Sequence, residues 1–172
     1  DPEIMAQFER EAQRLDPDRR ARGLEGVADL LRMLGPLDTE EVAARLEPEE
    51  AASAHGHLAE LIDTRRAIPV TIAGVSRVAA IEDAGRLRDA LGAALPVGIP
   101  NAFLEPLADP LGDLVARYAR THGPFTSTAV GERLGVGIAV TRHTLQRLEA
   151  QGRLSSGFFL PSSTSTSEDT EW

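Results

Sequence analysis

The segment GPLDTEEVAARL, residues 35–46, returns 88 positions later as GPFTSTAVGERL, residues 123–134. Five positions are identical at that constant offset: Gly35 and Gly123, Pro36 and Pro124, Val42 and Val130, Arg45 and Arg133, Leu46 and Leu134. Leu37 and Phe125 add an apolar match. Self-similarity at a fixed offset marks a repeated supersecondary unit, and 172 residues have room for two small units. Any fold assigned to one copy must therefore suit the other.

Each copy reads as three helices followed by a hairpin. In the second, Leu111, Leu114, Val115 and Tyr118 recur at i, i+3, i+4 and i+7, the apolar stripe of an amphipathic helix. His122-Gly123-Pro124 ends it, and Thr126 is placed to N-cap a short helix carrying Val130 and Leu134. Gly135-Val136-Gly137 turns into a third helix whose expected buried face is Ile138, Thr141, Leu145 and Leu148. Gln151-Gly152 closes it, and residues 153–160 read as two short strands around a wing tip. In the first copy, Leu30, Leu31 and Leu34 mark the first helix, and Asp38 with Glu41 forms a capping box. Leu58, Leu61 and Ile62 define its third helix, and strands over 67–72 and 77–81 flank Ala73-Gly74-Val75. Three helices with a two-stranded hairpin make a winged helix-turn-helix.

The expected fold class is mainly α with small β wings, as two tandem winged-helix modules joined by a Pro-rich linker. Aromatic residues are only 4% of the chain, so the cores must be built from Leu, Val, Ile and Ala. The expected boundaries are an N-terminal helix and turn over 1–22 and a first module over 23–92. A linker over 93–108, a second module over 109–161 and a disordered acidic Ser/Thr tail over 162–172 follow. Ile4, Phe8, Ala12 and Leu15 give the first segment helical spacing, and residues 82–91 read as a helix closing the first module. Pro96, Pro100, Pro106 and Pro110 punctuate and stiffen the linker, while Val97, Ile99, Phe103 and Leu104 predict that it packs on a module.

All 18 basic residues are arginine. Without lysine no Walker A loop is possible, which excludes a P-loop ATPase within these residues. There is no cysteine, no apolar run near the ~20 residues of a membrane span and no signal peptide, so a cytoplasmic location and no membrane partner are expected. A chain that starts at Asp1 rather than Met is expected to be part of something longer. The net charge of -9 argues against nucleic-acid affinity spread over the whole chain. Its distribution is uneven: residues 1–108 carry 20 acids and 12 arginines, whereas residues 109–161 carry four acids and six arginines.

Only the second copy is thus suited to phosphate. With Leu145 and Leu148 inward, its third helix is expected to present Arg142, His143, Gln146 and Arg147, side chains that read base edges or hold phosphates. Arg153, Ser155 and Ser156 on the wing would add backbone contacts. The matching face of the first copy bears Glu49, Glu50, Ser53, His57 and Glu60, which suits packing or spacing rather than a groove. Arg65, Arg66 and Arg77 near its wing are the exception and are expected within reach of a nucleic-acid backbone. His55 and His57 lie two apart, on different helix faces, and no carboxylate or cysteine pattern completes a metal site. No nucleophile and base stand at a recognisable spacing. No catalytic residue, metal or cofactor is expected in this segment.

The strings EGVADLLRMLGPLDTEEVAARL and IEDAGRLRDALGAALPVGIPNAFLEPLADPLGDLVARYARTHGPF, with the terminal EW, resemble the C-terminal extension of bacterial Lhr (large helicase-related) superfamily 2 DNA helicases. The resemblance covers nearly the whole chain. It departs at Val78, where the family tends to carry an aromatic, and at the Ser/Thr run 162–167, which replaces a Gly-rich stretch. The resemblance implies a parent that is an ATP-dependent 3′-to-5′ translocase associated with DNA repair, using ATP and Mg in a motor N-terminal to this segment. Single-stranded DNA or a DNA/RNA hybrid would be its nucleic-acid partner and the parent's flanking domains its protein partners, with self-association also open. No helicase motif falls within these residues, so no catalytic role is carried over. The competing readings are a scaffold or oligomerisation module that never touches DNA, and a tandem winged-helix transcription regulator.

Overall fold

The computed structural model describes residues 1–159 and 170–172. Helix α1 (Pro2–Ala12) starts on Asp1, whose carboxylate accepts the Glu3 amide. The first helical unit then runs through α2 (Gly23–Leu34), α3 (Thr39–Ala43) and α4 (Ala54–Asp63). The expected capping box starts α3: the Glu41 amide donates to Asp38 at 2.8 Å, and the Asp38 amide to Glu41 at 2.9 Å. Val27, Leu30 and Leu31 of α2 bury their stripe against Val42, Leu46, Leu58 and Leu61. Propensity alone would not sustain helices this short, so tertiary packing must.

An antiparallel hairpin follows, β1 (Ala67–Ile72) and β2 (Val75–Ala80), with Ile72 opposite Val75. Its two-residue turn, Ala73-Gly74, has both φ values positive, at 51° and 76°. That is the primed geometry that suits the right-handed twist of paired strands. The second strand accordingly begins at Val75 rather than at Arg77. Alternation buries Ile68, Val70 and Ile72. They pack against Leu87 of α5 (Ala84–Leu91) and against Ile99, Phe103 and Leu104 of the segment after it. Residues 93–104 are therefore no free tether, but Val97, expected to pack with Ile99, Phe103 and Leu104, is fully exposed. Gly85 permits their approach, because a Cβ there would stand 2.9 Å from the Phe103 carbonyl oxygen.

The second helical unit is α6 (Pro110–Thr121), α7 (Ser127–Leu134) and α8 (Ile138–Ala150). Asp109 and Thr126 cap the first two by accepting the Gly112 and Ala129 amides. Val115, Phe125, Val130, Leu145 and Leu148 form its core. The hairpin's apolar cluster also takes in Leu114 and Leu134, so the hairpin lies between the two units. Its tip meets the turn after α7: a Cβ on Gly135, which has φ +68°, would come within 3.1 Å of the Ala73 Cα.

Two expectations about the second copy are corrected. Ile138 is 41% exposed, not buried. The inner stripe of α8 is Thr141, Thr144, Leu145 and Leu148, and the core stops one turn short of the helix start. Nor do residues 153–159 pair with one another. Gly157 pairs antiparallel with Glu171, and Glu171 also bridges Thr126. Trp172 exchanges two backbone hydrogen bonds with Phe125, at 3.0 and 3.2 Å. The first unit contains the matching bridge, Leu37 to Val78 of the hairpin's return strand. The chain end thus occupies the place of that strand.

The expected disordered tail fails at residues 171–172. Glu171 is 1% exposed, and Trp172 packs on the core with its indole N–H donating to the Ser127 hydroxyl at 3.1 Å. Residues 160–169, which include most of the rest of that tail and the expected strand end Leu160, lie outside the described residues. Two residues carry no periodicity, so only the pairing reveals their role. Trp172→Ala should cost about 2 kcal/mol, less than a fully buried tryptophan because one side is open. Denaturant unfolding followed by circular dichroism measures it, and an unchanged midpoint would show that the chain end does not hold this unit.

Candidate nucleic-acid interface

Helix α8 follows a short loop from α7, in the place of a recognition helix. Its outward face carries Arg142, His143 and Gln146, all exposed. At the first turn of α8, Ile138 and Val140, the latter 52% exposed, flank that face on opposite sides. Sequence periodicity assigned Ile138 to the core and did not single out Val140. Aliphatic side chains beside arginine and glutamine suit a surface that meets both phosphate and the apolar faces of bases.

The other sequence-derived site residues divide. Arg147 grips Asp109 through a bidentate pair, with Nη2 to Oδ1 at 3.0 Å and Nη1 to Oδ2. The Arg147 hydrogen bond holds the Asp109 carboxyl below the usual aspartate range. Since Asp109 also caps α6, Arg147 locks α8 to α6. Ser156 donates its amide (3.1 Å) and hydroxyl (2.6 Å) to Glu149. Both residues are committed within the unit, a pairing that separation along the chain conceals. Arg153 and Ser155 are exposed. Arg153 lines a groove with Arg32, Arg86, Arg117 and Arg120, whose acids are Glu82, Asp83 and Asp113. Asp83 takes Arg86 at 2.7 Å and Arg117 at 2.8 Å. Arg120, exposed on the last turn of α6, was missed in the sequence. Its spacing of three from Arg117 was the available signal.

The first unit offers little to phosphate. Arg66 forms a bidentate pair with Glu25, at 2.6 and 2.8 Å. Arg77 points into the protein, donating to the Ile72 and Arg133 carbonyls at 3.2 and 3.4 Å. The hairpin that carries it is covered on its apolar face, so the expected reach of Arg77 to a backbone is corrected. Arg65 remains exposed, as do Glu49 and Glu60.

The two units meet at Glu41. Its carboxylate takes both Arg133 nitrogens, Nη1 on Oε1 and Nη2 on Oε2 at 3.2 Å, while Arg133 Nη2 also donates to the Pro36 carbonyl at 2.9 Å. The repeat counterpart of Arg133, Arg45, instead holds Gln13 beyond α1, through its backbone and side-chain oxygens at 2.9 Å each. Burial pushes the Glu41 carboxyl up, but the Arg133 hydrogen bonds, the Asp38 amide and the charges of Arg133 and Arg77 outweigh it and leave it below the usual range.

Residues 1–106 match the family described as "Large helicase-related protein, winged-helix domain". This chain belongs to the Lhr family. It is 46% identical over 159 residues to a Mycolicibacterium smegmatis protein named "Lhr helicase/ probable uracil glycosylase", covering 92% of this chain and 10% of the relative. It is 44% identical over 154 residues to the Escherichia coli "Lhr helicase/uracil glycosylase", covering 88% and 10%. The chain spans about a tenth of the length of these relatives. It is a winged-helix region of an Lhr-type protein, and among its described residues no helix is long and apolar enough to cross a membrane.

Glu41→Gln should lower stability by about 2 kcal/mol at neutral pH, since it leaves Arg133 and Arg77 without their carboxylate. A depressed carboxyl stabilises above its unfolded pKa, and the contribution fades as pH falls through the folded value. The wild-type advantage should therefore be full at pH 7 and shrink below about pH 4.5. Urea unfolding at pH 7 and pH 3.5 checks both parts.

Proposed function

We propose that this chain is a tandem winged-helix segment of an Lhr-type DNA helicase, in which the second unit contacts nucleic acid and the first holds it in a fixed orientation. The second unit is read as a winged helix in which the bridges of Glu171 to Gly157 and Thr126 stand where the first unit has its hairpin. The observation that carries the proposal is the exposed face of α8, with Arg142, His143 and Gln146 on the half of the chain where arginines outnumber acids. Arg153 and Arg120 extend that surface along the groove beside α6. The segment itself is non-catalytic. Translocation would belong to a motor elsewhere in the parent, with ATP and Mg bound there, and a cytoplasmic role in DNA repair follows from the same reading. The relatives' names join helicase and uracil glycosylase, which supports single-stranded DNA as the partner.

A second reading, packing against flanking domains, is favoured by one feature. Ile4 and Phe8 of α1, the latter 58% exposed, line an apolar groove with Phe159 and Trp172. Apolar surface of this kind marks a contact surface. The two readings are compatible, since the groove and the outward face of α8 share no residue.

Labelled single-stranded DNA, duplex and DNA/RNA hybrid, titrated at two salt concentrations, test the first reading. Binding should be salt-sensitive, and Arg142→Ala/His143→Ala/Gln146→Ala should weaken it about tenfold and flatten the salt dependence by about one phosphate contact. Affinity and salt slope unchanged in the triple variant would rule out α8 as the contact.

A further inference from the structure

The hairpin of the first unit is covered and its outward helix face is acidic, but the side formed by α2 and the turn after α1 is different. Arg14, Arg19, Arg20 and Arg32 line a groove there, with one carboxylate, Asp29, among the described residues. Arg32 also lines the groove between the units that holds Arg86, Arg117, Arg120 and Arg153, so the two grooves join at its side chain. Together they present eight arginines and four carboxylates, on a chain whose net charge is -9. Positive charge is thus collected along one path that crosses from unit to unit.

Some of these guanidiniums serve the fold. Asp83 holds Arg86 at 2.7 Å and Arg117 at 2.8 Å, which fixes the start of α5 to α6, and Arg86 also reaches Asp113 at 3.4 Å. Others stay available. Arg32 meets Asp29 at 2.9 Å and Glu82 at 3.5 Å, yet 45% of its side chain is open to solvent. Arg14, Arg19, Arg120 and Arg153 have no ion-pair partner among the described residues; Arg14 donates to the Arg19 carbonyl at 3.4 Å. Asp16 and Asp109 act on Arg19 and Arg153 at longer range. Both acids are already engaged, Asp16 by Gln7 and the Asp18 amide, and Asp109 by Arg147 and the Gly112 amide. Available cations therefore stand at both ends of the path, with Arg32 where the grooves join.

Resting on the reading that this chain contacts nucleic acid, we propose that the joined grooves are a track for the sugar-phosphate backbone of a single strand, which passes from the second unit onto the first. Cations spread along a path match a polyanion; a small ion would need several donors converging on one point. The apolar lining is confined to Ala21, Leu30, Met33 and Ala80, too little for the apolar centre of a protein interface. Guanidinium forks hold phosphate without reading bases, so the track adds affinity and orientation but no sequence preference. The first unit is then more than a spacer, because it carries part of the strand that α8 meets.

Fluorescence anisotropy of a labelled single-stranded DNA over a salt series tests the track. Arg14→Gln/Arg19→Gln, which alters the first unit alone, should weaken binding about fivefold and lower the salt slope by about 1.4, at ~0.7 per phosphate on a single strand. Arg120→Gln/Arg153→Gln should do the same. Arg65→Gln/Arg66→Gln, equal in charge but outside both grooves, should stay within about twofold of wild type. Unchanged binding in both groove variants, with loss in the α8 triple variant, overturns the track and leaves the proposed function standing. No salt-sensitive binding by the wild type overturns both. An equal loss in Arg65→Gln/Arg66→Gln overturns the track, since the effect then follows overall charge. If the groove variants keep strand binding but lose a salt-sensitive self-association, the grooves belong to the acidic face of a second copy and the proposal falls. Should circular dichroism show Arg14→Gln/Arg19→Gln unfolded, Arg19→Glu decides: weaker binding supports the track, and equal binding overturns it.

Discussion

Glu41 sits where four constraints meet. It closes the capping box of α3, receives the Arg133 fork from α7, faces Arg77 of β2 and precedes by one turn the Arg45 that grips the segment after α1. A partly buried ion pair of this kind adds little net stability over an apolar contact, but its loss leaves charges stranded. Its contribution is therefore chiefly orientational. The pairs that Glu41 makes with Arg133 and Arg77 favour the register in which the two units meet, because a shift would take that carboxylate from both guanidiniums. The hairpin tip against Gly135 and the shared cluster of Leu87, Leu114 and Leu134 complete the same junction.

Because the first unit's hairpin is consumed in that junction, the two copies of the repeat are not equivalent in what they offer outward. In the first, the strands that would be a free wing are covered by α5 and residues 93–104, and the exposed helix face is acidic. In the second, α8 keeps a basic and partly apolar face open. Arg45 and Arg133 show the same divergence within one repeat position. Both guanidiniums dock their unit on what precedes it, Arg45 on Gln13 and Arg133 on Pro36 and Glu41. A repeated sequence has become a directional stack.

Features governed by local rules were legible. The capping box, the Asp38 and Thr126 N-caps, the Leu30-Leu31 stripe and β1 depend on neighbours within a few residues. Features that failed depend on partners far along the chain. Ile138 has helical spacing with Thr141 and Leu145, but periodicity does not say where the covering helices stop. Residues 153–160 read as two short strands around a tip, but the partner of Gly157 lies at Glu171, farther along the chain than that reading reaches. Among the proposed contact residues, Arg142, His143 and Gln146 are exposed as expected, whereas Arg147 and Ser156 turned inward to Asp109 and Glu149.

The sequence by itself determined the repeated helical frame, the Gly-Pro breaks between helices and the sign of the charge on each half. These follow from side-chain type and short-range spacing, which every conformation of the chain shares. Tertiary structure decided which arginines serve the protein and which face solvent, and that the final Glu-Trp bridges to Gly157, Phe125 and Thr126 rather than trailing as a tail. Those outcomes depend on which charges and backbone groups are brought together across 38 residues (Arg147 and Asp109) or 92 (Arg133 and Glu41). Burial turns such an encounter into an obligation, because a desolvated charge or amide must find its partner.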